Sequence, residues 1–273
     1  MKKYEFTDET IDFCGRKLTR IRAVIDFGSV KAGSLGGFIE KESNLSHDGD
    51  AWVFGNAKVS GNAEVSGNAK VFGNAKVFGD AWVFGDAKVF GNAEVLGNAE
   101  VFGNAKVFGD AWVSGNAEVS GNAEVSGNAK VFGDAWVFGD AKVFGNAEVL
   151  GNAEVLGNAE VLGNAKVSGN AWVSGNAEVS GNAEVSGNAK VFGDAWVLGN
   201  ADYICIKGLG RFNRSTTFFR TEQGVSVVCG CFTGTLEDFE AKVFETHGNS
   251  IYAKEYLAAV EVAKIHFCIA EKK

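Results

Sequence analysis

The hydrophobic positions of this chain recur every six residues from residue 49 to residue 198. Each of the 25 units reads Gly-(Asn/Asp)-Ala-(Lys/Glu/Trp)-Val-(Phe/Ser/Leu), and its Gly, Ala and Val never vary. Ala and Val are two positions apart, so in a strand they share one face and the residue between them lies on the other. Such strict identity is expected of a closely packed interior. The pattern predicts one short strand and one corner per unit, stacked as a solenoid.

The remaining positions of the unit indicate where the corners lie. The residue after Val changes between Ser, Leu and Phe, a volume difference that a tight core could not absorb repeatedly, so it is expected at a corner or on the surface. Gly followed by Asn or Asp supplies the turn, because these residues tolerate positive φ better than others.

Three units closing a triangle give a coil of 18 residues, and 25 units give just over eight coils. At roughly 4.8 Å per coil the prism would be about 40 Å long. The repeat resembles that of the hexapeptide-repeat, left-handed parallel β-helix superfamily, which has an inward aliphatic residue and a small residue two places before it. The resemblance implies a left-handed helix. The Phe, Leu or Ser directly after Val departs from the family pattern.

Residues 1–48 are predicted to cap the first coil, since an open β-helix end exposes strand edges. Strands are expected over residues 22–27 and 38–40, with a turn over 33–37. The segment from Val30 to Val53 resembles the start of the coils in bacterial and phage-encoded hexapeptide-repeat proteins that are often labelled acyltransferases. The β-helix itself is assigned to residues 49–201.

Residues 202–273 are predicted to form a small α+β module with three strands and two helices. The strands are expected over 203–207, 216–221 and 225–232. Thr235 and Asp238 form a capping-box pattern that opens the first helix, which is expected to end near Gly248. The second helix follows it.

The charge of the chain limits the classes of partner that it is expected to bind. The chain has 26 basic and 34 acidic residues, a net charge of −8, and the repeat alone carries 9 Lys, 10 Glu and 7 Asp. The flanks are therefore balanced, and the absence of a basic patch argues against direct nucleic-acid binding. No apolar run approaches membrane-spanning length and the first residues lack the apolar region of a signal peptide, so no membrane association and a cytoplasmic location are expected. The five Cys are expected to be reduced thiols.

Catalytic candidates are few. Acyltransferases of the resembled superfamily use a His general base between subunits, but His47, His247 and His266 all lie outside the coils. A zinc site could combine Cys229 and Cys231 with His266 and Cys268, although reduced cysteines in a small core are the preferred interpretation. No catalytic residue, metal or cofactor is predicted.

The outer surface holds the more informative pattern. With 18 residues per coil, one corner column and one face carry large aromatic side chains. These are the predicted interaction surface: Phe54, Phe72, Phe90 and Phe108 in the column, and Trp82, Trp136 and Trp172 on the face. They could mediate contact with another copy or a partner. The alternative is a solvated ladder of rings that stack only on one another.

The sequence thus predicts a non-enzymatic scaffold, a rigid β-helix presenting a C-terminal module for binding or oligomerisation. The resemblance implies a phage or prophage origin. A homo-oligomer, dimer or trimer, is expected, or an unidentified protein partner. Two alternatives stay open. One is an acidic inhibitor that mimics nucleic acid and occupies a host enzyme; the other is a hexapeptide-type acyltransferase.

Overall fold

The computed structural model describes residues 1–269 and contains a three-sided parallel β-solenoid followed by a small α+β module. The predicted fold class is confirmed. Twenty-five short strands, β4 to β28 in chain order, form one parallel sheet on each side. Face 1 contains Trp52–Val53, Lys70–Val71, Lys88–Val89, Lys106–Val107, Glu124–Val125, Lys142–Val143, Glu160–Val161, Glu178–Val179 and Trp196–Val197. Face 2 contains Lys58–Val59, Lys76–Val77, Glu94–Val95, Trp112–Val113, Lys130–Gly133, Glu148–Gly151, Lys166–Val167 and Glu184–Val185. Face 3 contains Glu64–Val65, Trp82–Val83, Glu100–Val101, Glu118–Val119, Trp136–Val137, Glu154–Val155, Trp172–Val173 and Lys190–Val191.

The interior is made of the invariant Ala and Val, as predicted. Strands pair with a shift of one coil, so that Val89 lies between Val71 and Val107. Every Ala and Val of the repeat is at most 2% exposed. Each buried Val contributes roughly 1.5–3 kcal/mol, so the stacked interior is the main source of stability.

At every corner of the repeat, glycine is the residue that adopts a positive φ. All 25 repeat glycines have positive φ, from 59° at Gly55 to 82° at Gly133. The predicted turn at Gly and the following Asn or Asp is confirmed, but no Asn or Asp of the repeat adopts positive φ, so the reason given for these residues in the turn is wrong. Their amides instead bond to the neighbouring coil: the backbone N–H of Asn74, for example, donates to the carbonyl of Gly91 at 2.8 Å.

The Asn side chains form ladders along the three corners. Asn92 Nδ2 donates to Asp110 Oδ1 at 2.8 Å, and Asn128 Nδ2 donates to Asn146 Oδ1 at 2.9 Å. Ionised Asp accepts but cannot donate. Among the described residues no such bond therefore runs onward from Asp110 to Asn128, and the same break follows the other mid-solenoid aspartates, Asp80, Asp86, Asp134 and Asp140.

The first coil is covered by a structure that differs from the prediction. A hairpin of β1 (Tyr4–Phe13) and β2 (Arg16–Ala23) pairs with β3 (Leu35–Ile39), which starts the face 2 sheet. The expected strand over 22–27 is wrong, because the chain leaves the sheet after Ala23, and β1 was missed. A short 3₁₀ turn, Glu42–Asn44, leads into the coils.

The cap buries one outward side chain completely. Trp52 stands at the same unit position as the exposed Trp82, yet it is 0% exposed. Its ring lies 5.3 Å from that of Phe27 and 6.2 Å from that of Tyr4, measured between centroids. The Tyr4 hydroxyl in turn donates to the carbonyls of Glu42 and Leu45. The cap is therefore packed on the first coil rather than merely near it.

The C-terminal module has four antiparallel strands and two helices. The strands are β29 (Tyr203–Leu209), β30 (Arg214–Thr221), β31 (Gly224–Cys229) and β32 (Phe232–Thr235), after a 3₁₀ turn at Asn200–Asp202. The single strand expected over 225–232 is two strands, because the chain turns at Gly230, whose φ is 63°. Residues 270–273 of the predicted module lie outside the described residues.

Both helices of the module agree with the sequence pattern. Helix α1 (Leu236–His247) begins at the predicted capping box, with Asp238 N donating to Thr235 Oγ1 at 3.1 Å, and ends at Gly248. Helix α2 (Ile251–His266) packs Tyr256 and Val260 into the same core.

We predict that Trp52→Ala destabilises the fold by about 3–5 kcal/mol, because it empties the packed space between cap and first coil. Trp82→Ala, at the same position of a later unit but 51% exposed, should cost less than about 1 kcal/mol. Urea unfolding followed by circular dichroism measures both. Equal losses would show that the cap does not depend on Trp52.

We predict that Asp110→Asn stabilises the solenoid by about 0.5–1.5 kcal/mol, because the new Nδ2 can donate to Asn128 and join two ladder segments. Asp194→Asn is the control: it removes the same charge where Asp194 accepts from Asn176 at the last coil. Thermal unfolding should show a gain for the first variant only. A matching gain in both would assign the effect to charge.

Candidate interaction surfaces

The outward residues of each face form a straight column, since every coil repeats the register of the last. On face 1, Lys88 pairs with Lys70 on one side and Lys106 on the other. On face 3, Glu100 lies between Trp82 and Glu118. The columns read from the sequence are therefore those of the structure.

On faces 1 and 2, four of the six glutamates form ion pairs with lysines from the adjacent coil. The Nζ and Oε1 atoms of Lys106 and Glu124 are 2.7 Å apart on face 1. Three further pairs repeat this arrangement: Lys142–Glu160 on face 1, and Lys76–Glu94 and Lys130–Glu148 on face 2. Each is partly exposed, so each contributes little stability, about 0–1 kcal/mol. They leave these faces close to neutral.

Face 3 has no Lys–Glu ion pairs of this kind among the described residues. It carries four glutamates and a single lysine, Lys190, at its last coil. Among residues 1–269 no cation forms an ion pair with Glu64, Glu100, Glu118 or Glu154. Partial burial and the adjacent Glu100 carboxylate raise the pKa of Glu118 above its ordinary value. Charge repulsion is therefore built into the middle of this face.

Tryptophan rings stand between the glutamates of face 3. Trp82 is 51% exposed and Trp136 is 41% exposed. Trp172 is half-buried, because Phe192 packs against it and Lys190 Nζ lies over its ring at 5.2 Å from the centroid. This contact is a cation–π interaction, which favours the indole ring above other aromatic side chains. The three predicted tryptophans thus share one acidic face.

The predicted phenylalanine column is present at the corner between faces 1 and 2. Phe72, Phe90 and Phe108 stack with centroids 4.8 Å apart and ring planes within 2° of parallel. Phe54 meets Phe72 edge-on at 6.4 Å. All four are half-buried by their neighbours, which limits the apolar area that the column exposes. Its role as a contact surface stays a prediction.

The four zinc candidates do not come together as a site. Within residues 1–269 no group of three or more His, Cys, Asp or Glu side chains is arranged to hold a metal ion. Cys229 is buried beside Tyr256, whereas Cys231 and Cys268 are exposed. His266 Nε2 lies 3.0 Å from the carbonyl oxygen of Ala201, where it links helix α2 to the end of the solenoid.

A small cleft of about 200 Å³ lies between the sheet and helix α1 of the module. Its lining includes the cationic Arg214 and Lys242 and the ring of His247, which stacks on Tyr256 at 5.5 Å. Burial, followed by the proximity of Cys229, raises the pKa of Tyr256 to about 12. The sequence pattern gave no sign of this cleft, because its residues come from five separate elements, β30, β31, β32, α1 and α2.

Comparison with known proteins leaves the family open. No protein-family model matches the chain, and no curated protein is significantly similar to it. The hexapeptide-repeat resemblance, the left-handed sense and the acyltransferase label therefore stay predictions. The parallel β-solenoid class itself rests on the structure. Neither helix of the described chain has the length and apolar character needed to cross a bilayer.

We predict that Glu118→Gln raises the melting temperature near neutral pH. A raised folded-state pKa means that ionised Glu118 destabilises the fold above that pKa, and the cost vanishes below the unfolded-state pKa, where both states are protonated. The gain should therefore shrink towards about pH 4. Glu94→Gln, which breaks the 2.6 Å pair with Lys76, should give no gain. A Glu118→Gln gain that is constant with pH would contradict this account.

Proposed function

We propose that the protein is a rigid, non-enzymatic spacer that holds its C-terminal module at a fixed distance and orientation from its N-terminal cap. The single observation that supports this most directly is the continuity of the packed interior. Phe219 of β30 and Val228 of β31 belong to the same buried cluster as the repeat Ala and Val residues. The module is thus packed onto the last coil rather than tethered to it.

Polar contacts fix the orientation of this junction. Lys190 N donates to Thr217 Oγ1 at 3.0 Å, and Ala195 bridges Thr221 as an isolated β-bridge. Tyr203 Oη donates to the carbonyl of Glu184 at 2.7 Å. These bonds satisfy backbone groups that the last coil would otherwise leave open. Bending here would break several bonds at once.

The three histidines support a role without catalysis. His47 lies in the cap, where its Nδ1 accepts from Lys3 N and its Nε2 is 2.9 Å from Glu42. His247 and His266 are in the module. The superfamily's acyl transfer needs a His on the coils, so the acyltransferase alternative has less support than the spacer. Self-association as a dimer or trimer remains a further part of the proposal.

We expect a narrow distance distribution between nitroxide labels on the exposed thiols Cys14 and Cys231, measured by pulsed electron resonance with Cys205 and Cys268 changed to Ser. Deleting residues 76–129 removes 54 residues, three whole coils, and leaves an intact junction because the sequence from Lys130 repeats that from Lys76. The mean distance should fall by roughly 10–14 Å with no broadening.

A second deletion tests the orientation of the module separately from the length of the solenoid. Removing residues 112–171 also leaves the local sequence intact, but it takes out ten units, so the module should be rotated by one face relative to the cap. Both deletions shorten the solenoid by about three coils. The two label distances should therefore differ mainly because the module is rotated in the second variant. A broad distribution in the full chain, or distances unaffected by the deletions, would refute the spacer proposal.

A further inference from the structure

The charge of the solenoid is concentrated along one side. Of the 17 carboxylates in residues 49–198, ten lie on face 3 or at its two corners: Glu64, Glu100, Glu118 and Glu154 on the face, and Asp50, Asp80, Asp86, Asp134, Asp140 and Asp194 at the corners. Eight of the nine repeat lysines lie on faces 1 and 2. Face 3 with its corners therefore carries about the whole net charge of the chain, which is −8.

The solenoid could have neutralised this face by the same means that it uses elsewhere. Lys and Glu occupy the same outward position of the unit, and faces 1 and 2 pair them between adjacent coils. Face 3 has no lysine before Lys190 and spaces its glutamates with Trp. It places Glu100 against Glu118, whereas the one such pair on face 1, Glu160 and Glu178, has Lys142 bound to Glu160. Carboxylates beside exposed indole rings complement a partner with cationic side chains, since both groups attract cations.

The structure contains an internal example of that contact. Lys190 ends the face 3 column and lies over the ring of Trp172 at 5.2 Å. Trp82 and Trp136 present the same ring with no cation of the described chain over it, and each has a Glu on both neighbouring coils. A lysine or arginine from another molecule could occupy the equivalent place on each.

The spacing of the rings suits an extended chain along the solenoid axis. Trp82 and Trp136 are three coils apart, about 14 Å, and Trp136 and Trp172 are two coils apart, about 10 Å. An extended peptide advances roughly 3.3 Å per residue, so these gaps correspond to about four and three residues. A segment of about eight residues would reach from the first ring to the last.

We infer that face 3 is a docking surface for an extended lysine- and arginine-rich segment of a partner protein. The glutamates and corner aspartates supply the attraction, and Trp82 and Trp136 supply ring faces for individual cations. This inference does not depend on the spacer role, because it concerns one face of the folded solenoid and is unaffected by how rigidly the module is held.

The test is fluorescence anisotropy of a fluorescein-labelled peptide of alternating Arg and Lys, about ten residues long, titrated with the full chain at low ionic strength. Changing Glu100, Glu118 and Glu154 to Gln should weaken binding by about tenfold or more. The matched control changes the three glutamates of face 1, Glu124, Glu160 and Glu178, to Gln. It alters net charge equally and should weaken binding by less than about threefold.

A second variant tests the rings without changing charge. Trp82→Ala with Trp136→Ala should weaken binding by about threefold to tenfold, the loss expected for exposed cation–π contacts. Both side chains are about half exposed and neither belongs to the packed interior, so the variant should keep the circular dichroism spectrum of the parent.

Three outcomes would overturn the inference. One is no detectable binding, and another is equal loss in the two triple-Gln variants, which would leave only attraction by net charge. The third is self-association, measured by sedimentation velocity at the same protein concentrations, that disappears in the face 3 triple variant. That result would identify a second copy of the chain, presenting its lysine-bearing face 1, as the occupant.

Discussion

The in-register stacking of 18-residue coils is the constraint on which the rest of the structure depends. Each coil bonds only to its neighbours, and its Ala and Val must meet the same residues one coil away. The corners are equally strict: a Cβ on Gly121 would stand 2.8 Å from the carbonyl oxygen of Gly139. Close backbone approach and a positive φ thus both require glycine. What remains free to vary is the outward position and the residue after Val.

This constraint explains why the solenoid could be predicted from the sequence more fully than its two ends. A period of six fixes the strand, the interior and the three face columns without any tertiary information. The cap has no period. Its hairpin alternates charged and apolar residues irregularly, and Tyr4 meets Trp52 only because the chain folds back over the first coil. The turn at Gly230 was likewise hidden inside an apolar run that reads as one strand.

The candidate surfaces could likewise be predicted only in part from the sequence. The positions of Phe72, Phe90 and the three face 3 tryptophans follow from the period alone, but their exposure depends on which neighbours stack on them. Ion pairing depends on the order of Lys and Glu in neighbouring coils, so it needs the register and the side-chain conformations together. The ladder role of Asn was missed for a related reason: turn propensity describes one residue, whereas the ladder is a contact between residues 18 apart.

The glutamates of face 3 form no ion pair within the described residues, which is why we propose a binding role for this face rather than a stabilising one. A lysine in place of Glu118 would leave the interior unchanged and would remove a carboxyl group whose pKa is raised by partial burial and, after that, by the adjacent Glu100. The repeat order also argues against a site of a few fixed residues. The run from Trp112 recurs from Trp172, sixty residues on, which moves it from face 2 to face 3. A sharply defined pocket would not survive such a rotation. The same rotation places Glu178, the copy of Glu118, on face 1 and Lys190, the copy of Lys130, on face 3. The acidic charge of face 3 is therefore confined to the coils from Glu64 to Glu154, which are also the coils that carry Trp82 and Trp136.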